Sequence, residues 1–400
     1  MAGAFDQLVS AVRAGSVDET RRILADPEAR QRLDEPHPAL PFDSTVLLSA
    51  VSQKNRELIE VLLDAGADIN VRSRWWAGGF GVLDSADDSL VPFLIERGAN
   101  VDAHAAARLG RVDDLARLLS SKPDLVHARG GDGQTPLHFA ANVEVARLLL
   151  DRGADIDAID VDHEGTPAQY MVRDRQDVAL YLVSRGARTD LMLTAALGDL
   201  ERTREHLDRD PDSINMTVSD RWFPKHDPRS GGIIYIWTLG ADKSPHAVAR
   251  EFGHEQVLDL LMERSPVTLQ LAEAASAGDE ARVQKLLGST PNLVSELSHE
   301  QSARVVHAAK RNDGRAVRLM LSIGWPAGVR HDGATALHWA AFHGNANLAR
   351  ELVNSNAPLD ARDDEYGGTP LDWAEHGSKH GWHCRTGDYD GVIGLLRVGR

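Results

Sequence analysis

A nine-residue signature returns along this chain at a near-constant interval, and that return constrains the fold more than any other feature. Leu62-Leu63-Asp64-Ala65-Gly66-Ala67-Asp68-Ile69-Asn70 reappears as Leu94-Ile95-Glu96-Arg97-Gly98-Ala99-Asn100-Val101-Asp102, as Leu149-Leu150-Asp151-Arg152-Gly153-Ala154-Asp155-Ile156-Asp157, and again around Gly186. Gly66 to Gly98 spans 32 residues and Gly153 to Gly186 spans 33. Each glycine follows an apolar helical face such as Leu58, Ile59, Val61 and Leu62, so it reads as the left-handed residue that ends a helix. A second signature precedes the helix: Gly133-Gln134-Thr135-Pro136-Leu137-His138-Phe139-Ala140-Ala141, Gly333-Ala334-Thr335-Ala336-Leu337-His338-Trp339-Ala340-Ala341, and Gly368-Thr369-Pro370-Leu371-Asp372-Trp373-Ala374. Threonine as N-cap with proline at the first helical position starts a helix, because the proline has no amide to leave unpaired.

On these motifs the chain resembles the ankyrin-repeat family, in particular stand-alone bacterial-type chains, whose unit is a turn followed by two antiparallel helices. The resemblance implies an all-α solenoid of about twelve helix-turn-helix units with extended fingers, running over residues 1–400 as a single array. Its N-terminal cap repeat is expected at 1–33, extended fingers at 71–82 and 215–243, and a C-terminal cap repeat with an insertion at 367–400. Leu8, Val12, Ile23 and Leu24 would open the array, and Val392, Ile393, Leu395 and Leu396 would close it as a free-standing protein. A longer order is superposed: Gly15, Gly110, Gly198 and Gly278 follow Ala-rich segments and precede Pro27, Pro123, Pro211 and Pro291.

Composition narrows the function classes. A 42% hydrophobic and 26% charged chain is that of a soluble folded protein. The net charge of −16 repels phosphate backbones and anionic lipid, so neither nucleic acid nor a membrane is expected as a partner. The lone Cys384 forbids an intrachain disulfide, and a cytoplasmic location is the expectation. No phosphate loop, dinucleotide fingerprint, nucleophile elbow or zinc-protease helix occurs, and no cofactor is assigned.

Function is sought where the repeat is broken. The largest break is Asn215 to Lys243, which carries Trp222, Phe223, Lys225, His226, Arg229, Tyr235 and Trp237. Ile233 to Thr238 is β-branched and aromatic, and Pro228, Gly231 and Gly232 are turn formers, so an extended hairpin is expected. A second long finger holds Arg72, Arg74, Trp75 and Trp76; successive residues of an extended segment point oppositely, so at most one of the two tryptophans should face a groove. In the C-terminal unit His376, His380 and His383 beside Cys384 have a spacing that would recruit zinc if the loop folded back, but Gly377 and Gly381 argue against a regular helix there, and no metal is assigned. The resemblance places ligand contacts on finger tips and just after the Ala-Ala of the inner helix, which singles out His331, Asp332, Phe342, His343, Glu365, Tyr366 and His376; Trp382 lies in the C-terminal insertion and is read with Trp222 and Trp237 as a ring that would stack on a sugar. His138 and His338 occupy the family's Thr-Pro-Leu-His position and are read as structural links between turns; Trp339 and Trp373 are read as packing.

Two functions follow from this pattern. The first is a recognition protein that binds a partner protein segment in a concave groove through Arg72, Arg74, Trp75, Trp76, Trp222, Phe223, Lys225, Tyr235, Trp237, His331, Phe342, Tyr366 and Trp382, with a basic partner favoured by the acidic charge. The alternative is an enzyme or binder of a small, sugar-like polar ligand in a pocket closed by the 215–243 finger, with Asp332, His343, Glu365, His376 or His226 as acid and base.

Overall fold

The structure, a computed structural model, describes residues 3–398. It divides into two compact units: the first runs to Leu197 and includes Thr217–Lys243, and the second is Gly198–Met216 with the chain from Ser244 onward. Both are built from short antiparallel helix pairs.

In the first unit the pairs are Ala4–Arg13 with Val17–Ile23, Val46–Ser52 with Arg56–Asp64, Ala103–Arg108 with Val112–Ser121, and Pro167–Tyr170 with Gln176–Ser184. Between them Val91–Glu96 lacks a preceding inner helix, and Val143–Asp151 follows only a 3₁₀ turn, Pro136–Phe139. The second departure has a local cause. Ala141 is followed directly by Asn142, whose side chain caps the next helix by accepting from Val145 N, whereas Phe342-His343-Gly344 intervene at the matching point of the second unit. Without those three residues the inner segment has no room to close a second α-turn.

The second unit pairs Pro245–Glu251 with Glu255–Arg264, Val267–Ser276 with Glu280–Ser289, Arg304–Lys310 with Gly314–Ser322, Ala336–Phe342 with Ala346–Asn354, and Pro370–His380 with Tyr389–Val398. The only strands among the described residues are Arg330–His331 and Ala334–Thr335, a two-residue antiparallel ladder at one finger.

The helix-ending glycines behave as their spacing requires: Gly66, Gly98, Gly153 and Gly186 all have positive φ. Behind them the apolar stripe is buried, with Leu58, Ile59 and Leu62 at 0% exposure; each such side chain contributes about 2 kcal/mol of transfer free energy. The proline exits at Pro123 and Pro211 open 3₁₀ turns that tuck Val126 and Ile214 inward.

Two expectations from the sequence are corrected. The helix from Pro370 continues through Gly377 to His380, because a Cβ at 377 would fall on the Phe342 carbonyl oxygen and glycine is what lets the two inner helices approach. Ile233–Thr238 forms no strand. The amide and carbonyl groups before it bond to a neighbouring finger, and the chain then coils, with Ile236 N donating to Ile233 O and Trp237 N to Ile234 O. A β-strand needs a ladder partner, and none is available here.

Candidate functional site

Two regions collect the residues that the repeat does not need, one in each unit.

In the first unit the fingers are joined through their backbones. Val161 N donates to Asp132 O at 2.8 Å, and Gly231 N donates to Asp162 O at 2.9 Å. The inserted segment is tied down along its length. Glu164 accepts from the amides of His226 and Asp227, both at 2.9 Å, and lies 2.7 Å from His226 Nδ1. Burial works to raise the Glu164 pKa, but these bonds outweigh it and hold the carboxyl below its ordinary value. Tyr235, expected as a ligand contact, is instead fully buried and donates its hydroxyl to Asp190 at 2.9 Å. It anchors the insertion and is not displayed.

Beneath this insertion lies a pocket of about 300 Å³ lined by Trp222, Phe223, His226 and Ile233 from the insertion and by Glu164, Arg188 and Asp190 from the repeats. On the same unit Trp237 is 68% exposed. Trp76 is half-buried under the Arg229 guanidinium, 4.3 Å from the ring centroid, and Trp75 packs edge-on against Phe42. Arg72 is occupied by Asp84 at 2.6 Å and Asp102 at 3.0 Å. Arg74 is exposed, and Lys225 stands 3.9 Å from Asp220.

Sequence reasoning overlooked a second cluster in this unit: Asp132, Asp160, Asp162, His163 and Tyr170. Asp160 is the usual finger carboxylate, accepting from His163 N, Gly165 N and Tyr170 Oη. Asp132 and Asp162 are buried, and His163 Nε2 lies 3.9 and 3.8 Å from their Oδ2 atoms. Burial, the largest influence, pushes the Asp132 carboxyl up to about 6, opposed by His163 and reinforced by Asp162 and Asp160. The available signal was the Asp160-Val161-Asp162-His163-Glu164 finger, which carries two charged residues more than the Gly131-Asp132-Gly133 turn before it.

In the second unit the inner-helix positions form a run of rings. Trp339 meets Trp373 at 5.1 Å and stacks within 18° of Trp382 at 6.3 Å; Phe342 meets Trp382 at 5.4 Å and stacks on His376 at 6.4 Å. Trp382 is 69% exposed, and Tyr366, on the adjacent finger, 79%. His343 is buried: Nε2 bonds to Lys310 O at 2.9 Å, Nδ1 has no partner, and burial lowers its pKa. Beside it His383 helps to line a cleft of about 330 Å³ with Asn312 and Asp388. His331 packs on His307 at 4.2 Å, and Asp332 and Glu365 are exposed on finger tips.

Of the five acid and base candidates, His226 belongs to the first unit and Asp332, His343, Glu365 and His376 to the second. His376 and His380 share one helix face at 4.9 Å, while His383 turns to His343 at 5.3 Å. Among the described residues these histidines and Cys384 do not converge on one point. His246, Ser265 and Glu273 do resemble a catalytic triad in order, with Nε2 2.8 Å from Ser265 Oγ. All three are buried, and Ser265 Oγ donates to Leu261 O, so the group is a polar core contact that no substrate reaches.

His138 and His338 act as the motif implies. In each, Nδ1 takes the amide hydrogen of the preceding threonine at 3.1 Å and Nε2 reaches the next finger's glycine carbonyl at 3.2 Å.

A family model described as ankyrin repeats (3 copies) matches residues 103–192, 271–363 and 305–382, and one described as ankyrin repeat matches 42–74. With the helix pairs and histidine links, this coverage establishes that the chain belongs to the ankyrin-repeat family. It is similar to human B-cell lymphoma 3 protein, 38% identical over 90 residues, which cover 21% of this chain and 20% of that one. It is also similar to a putative ankyrin repeat protein of Rickettsia bellii, 28% identical over 127 residues, 30% of this chain and 18% of the other. The chain thus spans about a fifth or less of the length of these relatives. The solved ankyrin repeat domain of human ASB11 is 17% identical, covers 74% of this chain and 96% of its own, and superposes with a TM-score of 0.29. Ankyrin repeats are general protein–protein interaction modules, and no described helix is long and apolar enough to cross a membrane.

Proposed function

We propose that the chain is a recognition protein that holds a partner protein segment against the ring-lined inner-helix face of its second unit. The observation that carries this reading is the 69% exposure of Trp382 beside the rings of Trp339 and Phe342, with Tyr366, 79% exposed, on the finger that precedes the Pro370–His380 helix. Large aromatic side chains left in water beside others of their kind are the anchors that dominate binding energies when a partner covers them. Indole faces also attract cations, which suits an acidic chain meeting an apolar segment flanked by Lys or Arg.

A photo-crosslinking residue at position 382 should capture one protein that the same residue at the outer-helix position 350 does not. The purified partner should then lose at least tenfold in affinity on Trp382→Ala. Equal capture at both positions, or unchanged affinity in the variant, would remove this reading.

One observation favours a second reading. The 300 Å³ pocket under the insertion combines the Trp222 and Phe223 rings with Glu164, Asp190 and His226, a lining that suits a small polar ring compound. A sugar panel should raise the melting temperature of the wild type and not of Trp222→Ala; a flat response to the whole panel excludes it.

A further inference from the structure

The buried cluster of the first unit is not used by either reading above. Asp132 comes from one finger, Asp162 and His163 from the next, and the inserted segment closes over the second. Ser230 Oγ donates to Asp162 O at 2.5 Å and Gly231 N donates to Asp162 Oδ1 at 3.0 Å. His163 Nδ1 lies 3.2 Å from Gly232 O.

That last contact fixes the histidine tautomer. A carbonyl oxygen can only accept, so Nδ1 carries the hydrogen, and in the neutral ring Nε2 presents a lone pair. The lone pair faces Oδ2 of Asp132 at 3.9 Å and Oδ2 of Asp162 at 3.8 Å. With the ring neutral, three electron-rich atoms face one another, all within 4.8 Å, in a place largely withdrawn from water. Neither carboxylate forms an ion pair with any Arg or Lys among the described residues. Asp132, 8% exposed, has its other oxygen, Oδ1, buried without a hydrogen bond. The Trp75 indole N–H lies near enough to lower the carboxyl pKa, yet Nε1 too is left without a partner of bonding geometry. A buried anion with an unsatisfied oxygen is destabilising unless a cation joins it.

We infer that Asp132, Asp162 and His163 form a binding site for one divalent transition-metal ion. The donor set of two carboxylate oxygens and one imidazole nitrogen suits Zn²⁺ or Mn²⁺, with water completing the coordination sphere. The arrangement around the ligands supports the assignment independently: a metal-binding histidine characteristically donates its second N–H to a backbone carbonyl, as Nδ1 does to Gly232. A contraction of the three side chains by about 1 Å brings the ligand atoms to bonding distance of a common centre. The insertion supplies no ligand atom but orients two ligands, so it is the clasp of the site.

The test uses the full chain freed of metal with a chelator and titrated calorimetrically with ZnCl₂ and, separately, MnCl₂. One ion should bind per chain with a dissociation constant in the micromolar range or tighter, and the melting temperature should rise by several degrees. Asp132→Asn, which keeps the shape of the side chain, should weaken binding at least 30-fold, and His163→Gln should do the same. His383→Gln with Cys384→Ser should leave the affinity unchanged. Circular dichroism of each metal-free variant checks that it folds, and Co²⁺ substitution provides a second readout in the visible spectrum, lost in His163→Gln. No binding by either ion, or full binding retained in Asp132→Asn and His163→Gln, overturns the assignment.

Discussion

The finger Gly131-Asp132-Gly133-Gln134-Thr135 in the first unit and the finger His331-Asp332-Gly333-Ala334-Thr335 in the second follow one design. In both, the aspartate is left-handed, at φ 55 and 48, the next glycine is at φ 72 and 76, and the threonine three residues on binds a buried histidine. Yet Asp132 is buried, and the Asp332 side chain is 70% exposed, 4.0 Å from Lys310. The following fingers are alike too: Asp160 and Asp363 each accept several backbone amides and one aromatic donor, Tyr170 in the first case and Trp373 in the second. What differs is what packs on the pair: Ala77 and Phe80 of the 71–82 finger lie against the Gly131–Gly133 turn, and the 217–243 insertion bonds to the Asp162–Glu164 turn. The same turn thus yields a solvated carboxylate or a buried one according to what a distant stretch of chain lays over it.

The glycines after the two aspartates give the largest expected effect. A Cβ at Gly133 would strike the Val161 side chain and stand 3.1 Å from Ala77 O, whereas at Gly333 it would meet Asp364 at 2.8 Å on an open finger. With positive φ adding strain to both, Gly133→Ala should cost about 4 kcal/mol and Gly333→Ala about 2 kcal/mol, measured by denaturant melts. Equal costs would show that the Val161 and Ala77 contacts do not confine the first finger.

Next comes pH. Burial holds His138 down to about 3 and also lowers His338. Each ring is neutral when folded, and the unfolded chain takes up the proton below about 6.5, so stability is complete above that value and falls as the medium is acidified. By pH 4.5 the His138 contribution should have fallen by about 3 kcal/mol. The protection of amides in the 135–170 region, corrected at each pH for the intrinsic exchange rate, should therefore fall in acid, and His138→Asn should flatten that response; an unaltered slope would refute the neutral-ring account.

A smaller change is expected from the aromatic donors. Tyr170→Phe and Trp373→Phe each remove one bond to a finger carboxylate that keeps its backbone amides, and each should cost about 1 to 2 kcal/mol. The smallest effect is Asp332→Asn, within about 0.5 kcal/mol of wild type in a melt, as for other exposed side chains.

The repeat, its left-handed glycines and its histidine links were legible because each rests on residues close in sequence. The stretches at 71–82, 215–243 and 367–400 stand out in the sequence as interruptions of a period. What they hold was harder to read. Tyr235 looks like a displayed ring until Asp190, from another repeat, is seen to receive its hydroxyl. The β-branched run at Ile233 suggests a strand, but its flanking glycines spend their backbone groups on Asp162 and His163. Those two residues and Asp132 belong to neighbouring turns, which the Val161 and Asp162 amides join at the Asp132 carbonyl; the repeat period brings such turns together, but the cluster depends on which side chains they carry, and consensus fingers carry no such set.

The interleaving of the two units bears on biosynthesis. Gly198–Met216 is polymerised before Thr217–Lys243, although only the later stretch completes the first unit. During translation the N-terminal repeats can coil as they leave the ribosome, but Tyr235, Ser230 and Gly231 are still to come, so Asp162 and Asp190 must wait uncovered while the opening helix of the second unit emerges. A nascent chain stalled near residue 225 should therefore be more susceptible to proteases at its 157–166 finger than one stalled some 70 residues later.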